Sequence, residues 1–377
     1  MKGLLFMKKT LYSDEINRLS NREKHFFAAA NTSAGFVSFF DRVFDPNALS
    51  KLYILKGGPG VGKSTLMKKA ASAAKAQGCT PLYYHCSSDP NSLDGVIIPE
   101  TGKAIIDGTA PHTVDPRYAG AKEEIVNLGE AWNIPLLEKE SRRICEISDQ
   151  KSAHYRTAYR LLAAAKNADA ELADMGARCL DRQKMRAAAA RLCAKHIKKG
   201  GSAHLTLTAA DAISCDGELR FFTPEKQAKH LYFIKDAHST AGAFFAVLAE
   251  LALRAGADIT AGVRPLDVSE YAFLYFHEPS VCVSLYDDEF CAKLDRAEIP
   301  YKVINLGRFF DAKRFAANRA KYRFTEKCRK ALIDAAEEEL AAAGALHAEL
   351  ERIYGKATDY SVVSEMSEKV IAAVLRK

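Results

Sequence analysis

The stretch "LYILKGGPGVGKSTLMKK", Leu52 to Lys69, decides how the chain is read. An apolar run leads through Lys56 into four glycines, then into Lys63 and two hydroxyl residues, and a helical pattern follows. A second stretch, "LYFIKDAHSTAGAFFAVL" from Leu231, keeps the lead-in and the helix but lacks most of the glycines and the second lysine. The two begin 179 residues apart. "IIPE" ending at Glu100 and "YFHE" ending at Glu278 are 178 apart, as are "LAAAKNADAEL" from Leu162 and "LAAAGALHAEL" from Leu340. One offset maintained from end to end predicts a tandem duplication of a unit about half the chain long. The units are residues 23–200 and 201–377, after an N-terminal extension of residues 1–22, with "KKGGSAH" (Lys198 to His204) as the joint.

Each unit repeats one coarse plan. In the first, "KLYIL", "PLYYHCS", the apolar "GVIIP" and "KAIID" alternate with helical signals, and a helical tail runs from about Tyr118 to Lys199. The tail is rich in Ala, Glu, Lys and Arg and has no proline from Leu136 to Lys199, a composition suited to helical hairpins. Strands alternating with helices predict an α/β fold with parallel sheets flanked by helices.

The spacing Gly57-x-x-x-x-Gly62-Lys63-Ser64 is that of a phosphate-binding loop. A triphosphate needs many donors converging on a small volume. Glycines let successive N–H groups turn inward, and a helix beginning near Lys63 adds its free N–H groups and positive dipole end. The expected nucleotide contacts are Gly57, Gly58, Gly60, Val61, Gly62, Lys63, Ser64 and Thr65. Lys63 reaches the β- and γ-phosphates, Ser64 ligates Mg²⁺, and Thr65 meets the α-phosphate. Pro59 has no N–H and stiffens the turn.

A Mg²⁺–nucleotide site also needs a carboxylate where a neighbouring strand runs out. Asp107, ending "AIID" before Gly108, is the expected metal-shell residue, and Asp94 reads as lying at the wrong end of its strand. The base stays open among Glu100, Asp94 and Asp89, with Glu100 carried forward as the catalytic candidate. His112 in "DGTAPH" is a candidate for orienting water or sensing the γ-phosphate. Lys63, Asp107 and Glu100 form the expected catalytic set.

In the second unit Asp236 stands at the position of Gly57, Gly242 at Lys63, Ala243 at Ser64 and Leu285 at Asp107. The phosphate cation and the metal ligands are gone, and His238 does not replace a fixed ammonium at neutral pH. This unit reads as scaffold without a site. Its helix "AFFAVLAELAL" is apolar nearly all round, as a buried helix is.

The 377 residues are 48% hydrophobic and 27% charged, the balance of a soluble globular chain, with no run long enough for a membrane span. "MKGLLFMKK" is too short an apolar core for a signal peptide, and Met7 is an alternative start. Nine cysteines without a C-x-x-C pair speak against a disulfide framework or zinc site and for a reducing cytoplasm. The net charge of +7 is spread along the chain, unlike the concentrated charge of nucleic-acid binders.

The sequence resembles bacterial-type tandem P-loop ATPases over nearly its whole length. The residues that carry the resemblance are "FFAAANTSAGFVSFFD" (Phe26–Asp41), the glycine-rich loop, "HCSSDPNSLDGVIIPE" (His85–Glu100) and "AIIDGTAPHTVDP" (Ala104–Pro116). The resemblance implies a P-loop NTPase fold, ATP binding at Gly57–Thr65, and a site that includes "HCSSD" and "DGTAPH". Members of that family often keep a second intact loop, which this chain lacks. The expected activity is slow Mg²⁺-dependent ATP hydrolysis at one working site. The rivals are a small-molecule or nucleotide kinase with Arg142, Arg143, Arg156 and Arg160 as lid residues, and a non-hydrolysing module whose helical tails bind a protein partner.

Overall fold

The computed structural model describes residues 23–197 and 200–376. The proposed N-terminal extension and Lys198 and Lys199 of the joint lie outside them. The first half contributes strands β1 (Lys24–Phe27), β2 (Lys51–Lys56), β3 (Leu82–His85), β4 (Leu93–Ile98), β5 (Lys103–Asp107) and β6 (Glu123–Asn127), and helices α1 (Lys63–Ala76), α2 (Ser141–Ala177) and α3 (Arg182–His196). The second half contributes β7 (His204–Ala209), β8 (His230–Lys235), α4 (Ala241–Arg254), β9 (Asp258–Val263), β10 (Tyr271–Phe276), β11 (Val281–Leu285), β12 (Lys302–Asn305), α5 (Arg319–Lys356) and α6 (Tyr360–Leu375).

These twelve strands form one sheet in the order β12-β8-β11-β10-β9-β7-β1-β3-β4-β5-β2-β6, and four further strands among the described residues pair as two small hairpins, Ala29–Thr32 with Gly35–Ser38 and Asp211–Ser214 with Gly217–Arg220. Read outward from the centre, each half has the same strand order. Five of the six strands of a half share one direction, and the sixth, β4 or β10, runs against both neighbours. The halves meet through the antiparallel pair β1–β7 at Phe27 and Ala209. The fold is thus mixed α/β with a large, mostly parallel central sheet and flanking helices.

The sequence explains the central strands. In β2, "KLYILK", four consecutive buried residues show that helices or loops cover both faces. Alanines at 70, 71 and 74 bring α1 close to the sheet, and Gly78, at φ +80°, ends the helical segment as only glycine does without strain. The expected tail was drawn too long at its start. Residues Glu123–Asn127 form the edge strand β6 instead, paired in parallel with β2. Its glutamates and its exposed Ile125 weaken the strand signal, and charges of this kind are tolerated where a strand has only one neighbour.

The helical tails cross between halves. Val363, Val370 and Val374 of α6 share a core with Leu66, Met67 and Ala70 of α1. In the reciprocal contact, Met185, Ala189 and Leu192 of α3 pack with Phe244, Phe245 and Leu248 of α4. Between these contacts, α2 and α5 lie antiparallel as an arm ~55 Å long, at about 1.5 Å per residue. Ala158, Leu162, Ala165, Ala336 and Leu340 form its seam. Among the described residues no helix is long and apolar enough to cross a membrane.

This exchange makes a specific prediction. Val370→Asp places an unpaired charge against α1, a helix nearly 300 positions earlier in the chain. Hydrogen exchange should accelerate across Lys63–Ala76 and leave Ala241–Arg254 protected. Equal effects on both helices would count against the cross-packing.

Candidate functional site

The loop between β2 and α1 turns on left-handed glycines: Gly60 has φ +73° and Gly62 has φ +98°. No side chain caps α1, whose N-cap is Gly62. The Lys63 ammonium folds over the loop, 2.5 Å from the Gly57 carbonyl and 3.2 Å from that of Gly58. It lies 3.3 Å from the Asp107 carboxylate and 3.3 Å from the Thr109 hydroxyl. Asp107 accepts hydrogen bonds from the Thr109 amide and hydroxyl at 2.9 and 2.6 Å. Lys56 donates to the Gly108 and Val114 carbonyls, both at 2.8 Å, and so pins the segment carrying Thr109 and His112. Ser64 sits at the first turn of α1, where its hydroxyl oxygen accepts the Leu93 amide at 3.0 Å.

Asp94 occupies this site, contrary to its expected place at the far end of the sheet. Because β4 runs against its neighbours, its first residues lie at the edge where β2 and β5 end. Asp94 is 4% exposed. Burial, and next the Asp107 carboxylate, push its pKa up to about 8 against the pull of a Cys86 hydrogen bond and Lys63. His112 Nε2 stands 3.5 Å from Asp94 Oδ1, and neither ring nitrogen has a hydrogen-bond partner. Burial lowers the His112 pKa to about 4. The result is a neutral acid beside a neutral imidazole in a dry pocket, a combination that marks sites more often than scaffolding.

Glu100 does not join them. It follows β4 at the opposite edge, where its carboxylate accepts the Thr80 amide at 2.8 Å. Asp89 closes a turn with Asn91 and Ser92. Of the four arginines weighed as lid residues, Arg142 pairs with Glu146 and Arg143 with Glu349, while Arg156 and Arg160 are exposed on α2.

The roof over the loop comes largely from the second half. A Cβ on Gly60 would lie 2.5 Å from the Glu351 carbonyl, and one on Gly58 would lie 3.1 Å from the Tyr354 ring. The Tyr360 hydroxyl donates to the Gly60 carbonyl at 2.9 Å. Lys151 of α2 and His347 of α5 face each other, Nζ to Nδ1, at 3.5 Å. Reading the sequence did not find these residues, since nothing local in α2 or α5 distinguishes the turn that faces a loop from the turns that face water.

The corresponding loop of the second half is built differently. Asp236 Oδ1 accepts the amides of Ala237, Thr240 and Ala241 at 2.7, 2.8 and 2.9 Å. The chain thus supplies its own anion at the N-terminus of α4. A Cβ on Gly242 would fall 2.5 Å from Glu270 Oε1, so a side chain at the position matching Lys63 would have to displace that carboxylate. A cavity of about 550 Å³ lies above this loop, bordered by Arg319, Arg323 and Arg329.

Known proteins do not resolve these features further: no family model, curated protein or solved structure matches the chain.

The Asp94 environment has a measurable cost. Its carboxyl holds a proton up to about pH 8 in the folded chain, whereas an unfolded aspartate releases it near pH 4. Between those values the folded state binds more protons, so this group's contribution to stability falls as pH rises. Asp94→Asn removes that dependence. Relative to wild type, its Tm should improve more at pH 8 than at pH 5. The expected difference is at least about 2 °C, what roughly 1 kcal/mol produces in a domain half this long. A parallel pair of Tm–pH curves would show that Asp94 is not held neutral.

Proposed function

We propose that the chain binds ATP at Gly57–Thr65 and hydrolyses it slowly with Mg²⁺, using one working site and a self-capped counterpart. The reading also takes the two halves as copies of one unit of the P-loop type. The shared strand order and the constant offset of 178 to 179 residues support that view.

The observation that carries the proposal is the contrast between the loops. At one, left-handed glycines leave the helix N-terminus uncapped beneath an ammonium. At the other, a carboxylate fills the same position. Phosphate is the ligand that the first arrangement suits and the second repels.

In this reading the residues divide the work. The amides of Gly58 to Thr65, apart from Pro59, donate to phosphate oxygens. Lys63 exchanges its present carbonyl contacts for the phosphates and neutralises charge that grows during transfer. Ser64 and Asp107 would hold Mg²⁺, which, when bound, supplies further charge neutralisation. The hydroxyl at the start of α1 and the carboxylate at the end of β5 suit a hard cation. Asp94, oriented by His112, is better placed than Glu100 to accept a proton. Its raised pKa means that it is mostly protonated at neutral pH, which accords with slow turnover. The long arm formed by α2 and α5 is the proposed surface for a protein partner.

Lys63→Ala should weaken Mg-ATP binding at least tenfold by calorimetry and leave the Tm nearly unchanged, because it removes a cation and no core volume. Unaltered affinity would refute the loop assignment. Asp107→Asn should lower the rate of phosphate release more than it lowers ATP affinity. A phosphorylated acceptor in place of free phosphate would turn the reading toward a kinase.

Titration of the wild type should return one nucleotide per chain. Restoring Lys and Ser at Gly242 and Ala243 should add no second site, since the Asp236 carboxylate stays at the loop and accepts the Thr240 and Ala241 amides. Two sites of similar affinity would contradict the self-capped reading of the second half.

A further inference from the structure

The two halves differ at a second pair of positions, beyond the loops themselves. In the first half Lys151 of α2 faces His347 of α5 above the glycine-rich loop. The residues one repeat away from them, 178 positions in each direction, are Arg329 and Asp169. That pair forms an ion pair at 2.5 Å. Above the self-capped loop, therefore, the roof cation has a carboxylate of its own. Above the glycine loop the matching carboxylate has become a histidine.

The charge balance follows. Lys151 is partly buried and, among the described residues, forms no ion pair with a carboxylate. Burial, and next the charge of Lys63, lower its pKa. His347 is likewise held below its ordinary pKa by burial first, then by Lys151 and Lys63. The acidic neighbour of His347 is Glu351, 3.7 Å from Nε2, on the side of the ring away from Lys151. The carboxylates of Asp89 and Asp107 act on His347 from below. The Lys63 ammonium thus disfavours charge on both Lys151 and His347, which lie 3.5 Å apart, an arrangement that an intervening anion relieves. The roof is close to the loop, because Glu351, one turn beyond His347, already touches Gly60.

Resting on the nucleotide reading above, we propose that Lys151 and His347 form a clamp for the terminal phosphate of a nucleoside triphosphate. Through it the α2–α5 arm distinguishes triphosphate from diphosphate. The loop holds the phosphates common to both nucleotides. The clamp, one side chain from each half, meets the group that hydrolysis removes. Loss of that group restores the repulsion between Lys151 and Lys63, and the arm registers the change directly because Lys151 and His347 lie on its two helices.

Calorimetric titration with Mg-ADP and with Mg-adenylyl imidodiphosphate tests this. Wild type should bind the triphosphate analogue more tightly than ADP. Lys151→Met, which keeps the length and apolar stem, should weaken analogue binding at least tenfold and change ADP binding less than twofold. Lys151→Arg should retain most of the preference, and His347→Gln should lose part of it. ADP binding also reports that each variant is folded. Equal losses for both nucleotides, or none for either, would overturn the clamp while leaving the loop assignment standing if Lys63→Ala abolishes binding. Failure of the wild type to bind either nucleotide would remove both.

Discussion

Every α-helix begins with N–H groups that have no partner inside the helix, and something must accept them. This requirement organises the difference between the two halves. At α4 the chain answers with Asp236, one oxygen of which takes the amide of Ala241, the first helical residue, together with those of Thr240 and Ala237 just before it. At α1 no side chain caps the N-terminus, which follows left-handed glycines at 60 and 62. A helix end alone is a weak anion site, worth typically under ~1 kcal/mol at an exposed position. In the proposed reading, Lys63 and the roof above it are what would make the first half's version more than a weak site. The same residues in the second half, Gly242 under Glu270 and Arg329 paired with Asp169, show each positive group replaced or satisfied internally.

The roof exists because the helices are exchanged. Had α6 packed on its own half, α1 would have lacked the valines that cover Leu66 and Met67. Had α2 and α5 folded separately, Lys151 and His347 would not have met. The arm's apolar seam is narrow and rich in alanine, so its helices approach closely and hold the roof side chains at a fixed separation. Ion pairs along it, such as Arg143–Glu349 and Lys321–Glu171, are exposed and contribute little to stability, but their like spacing fixes the antiparallel register. That register is what brings the start of α2 and the end of α5 to the same loop.

The glycine-rich turn and the strands around it were legible because each is a local pattern. Glycine spacing fixes backbone curvature, and a four-residue apolar run fixes a covered strand. Strand direction is not local. "LDGVII" reads the same whichever way it runs, so Asp94 was placed at the wrong edge until the antiparallel pairing of β4 was known. The same reversal carries Glu100 away from the site, to a turn by Thr80. The strand Glu123–Asn127 was hidden by its own charges. Glu351 and Tyr360 meet the loop across roughly 300 residues, a separation at which one sequence holds no signal.

The second half is therefore more than a scaffold beside the first. It gives the first half α6 to bury α1, His347 and Glu351 above the loop, and Tyr354 and Tyr360 against its glycines. At its own loop Asp236 accepts the amides at the start of α4 from within the chain. A self-capped helix is a fixed point, with no binding event to change it. On the proposed reading, the α2–α5 arm stands on one self-capped loop and one whose charge balance an anion would change. An arm held at one end and responsive at the other would convert a local electrostatic change into a directional one, which two equivalent loops acting together would partly cancel.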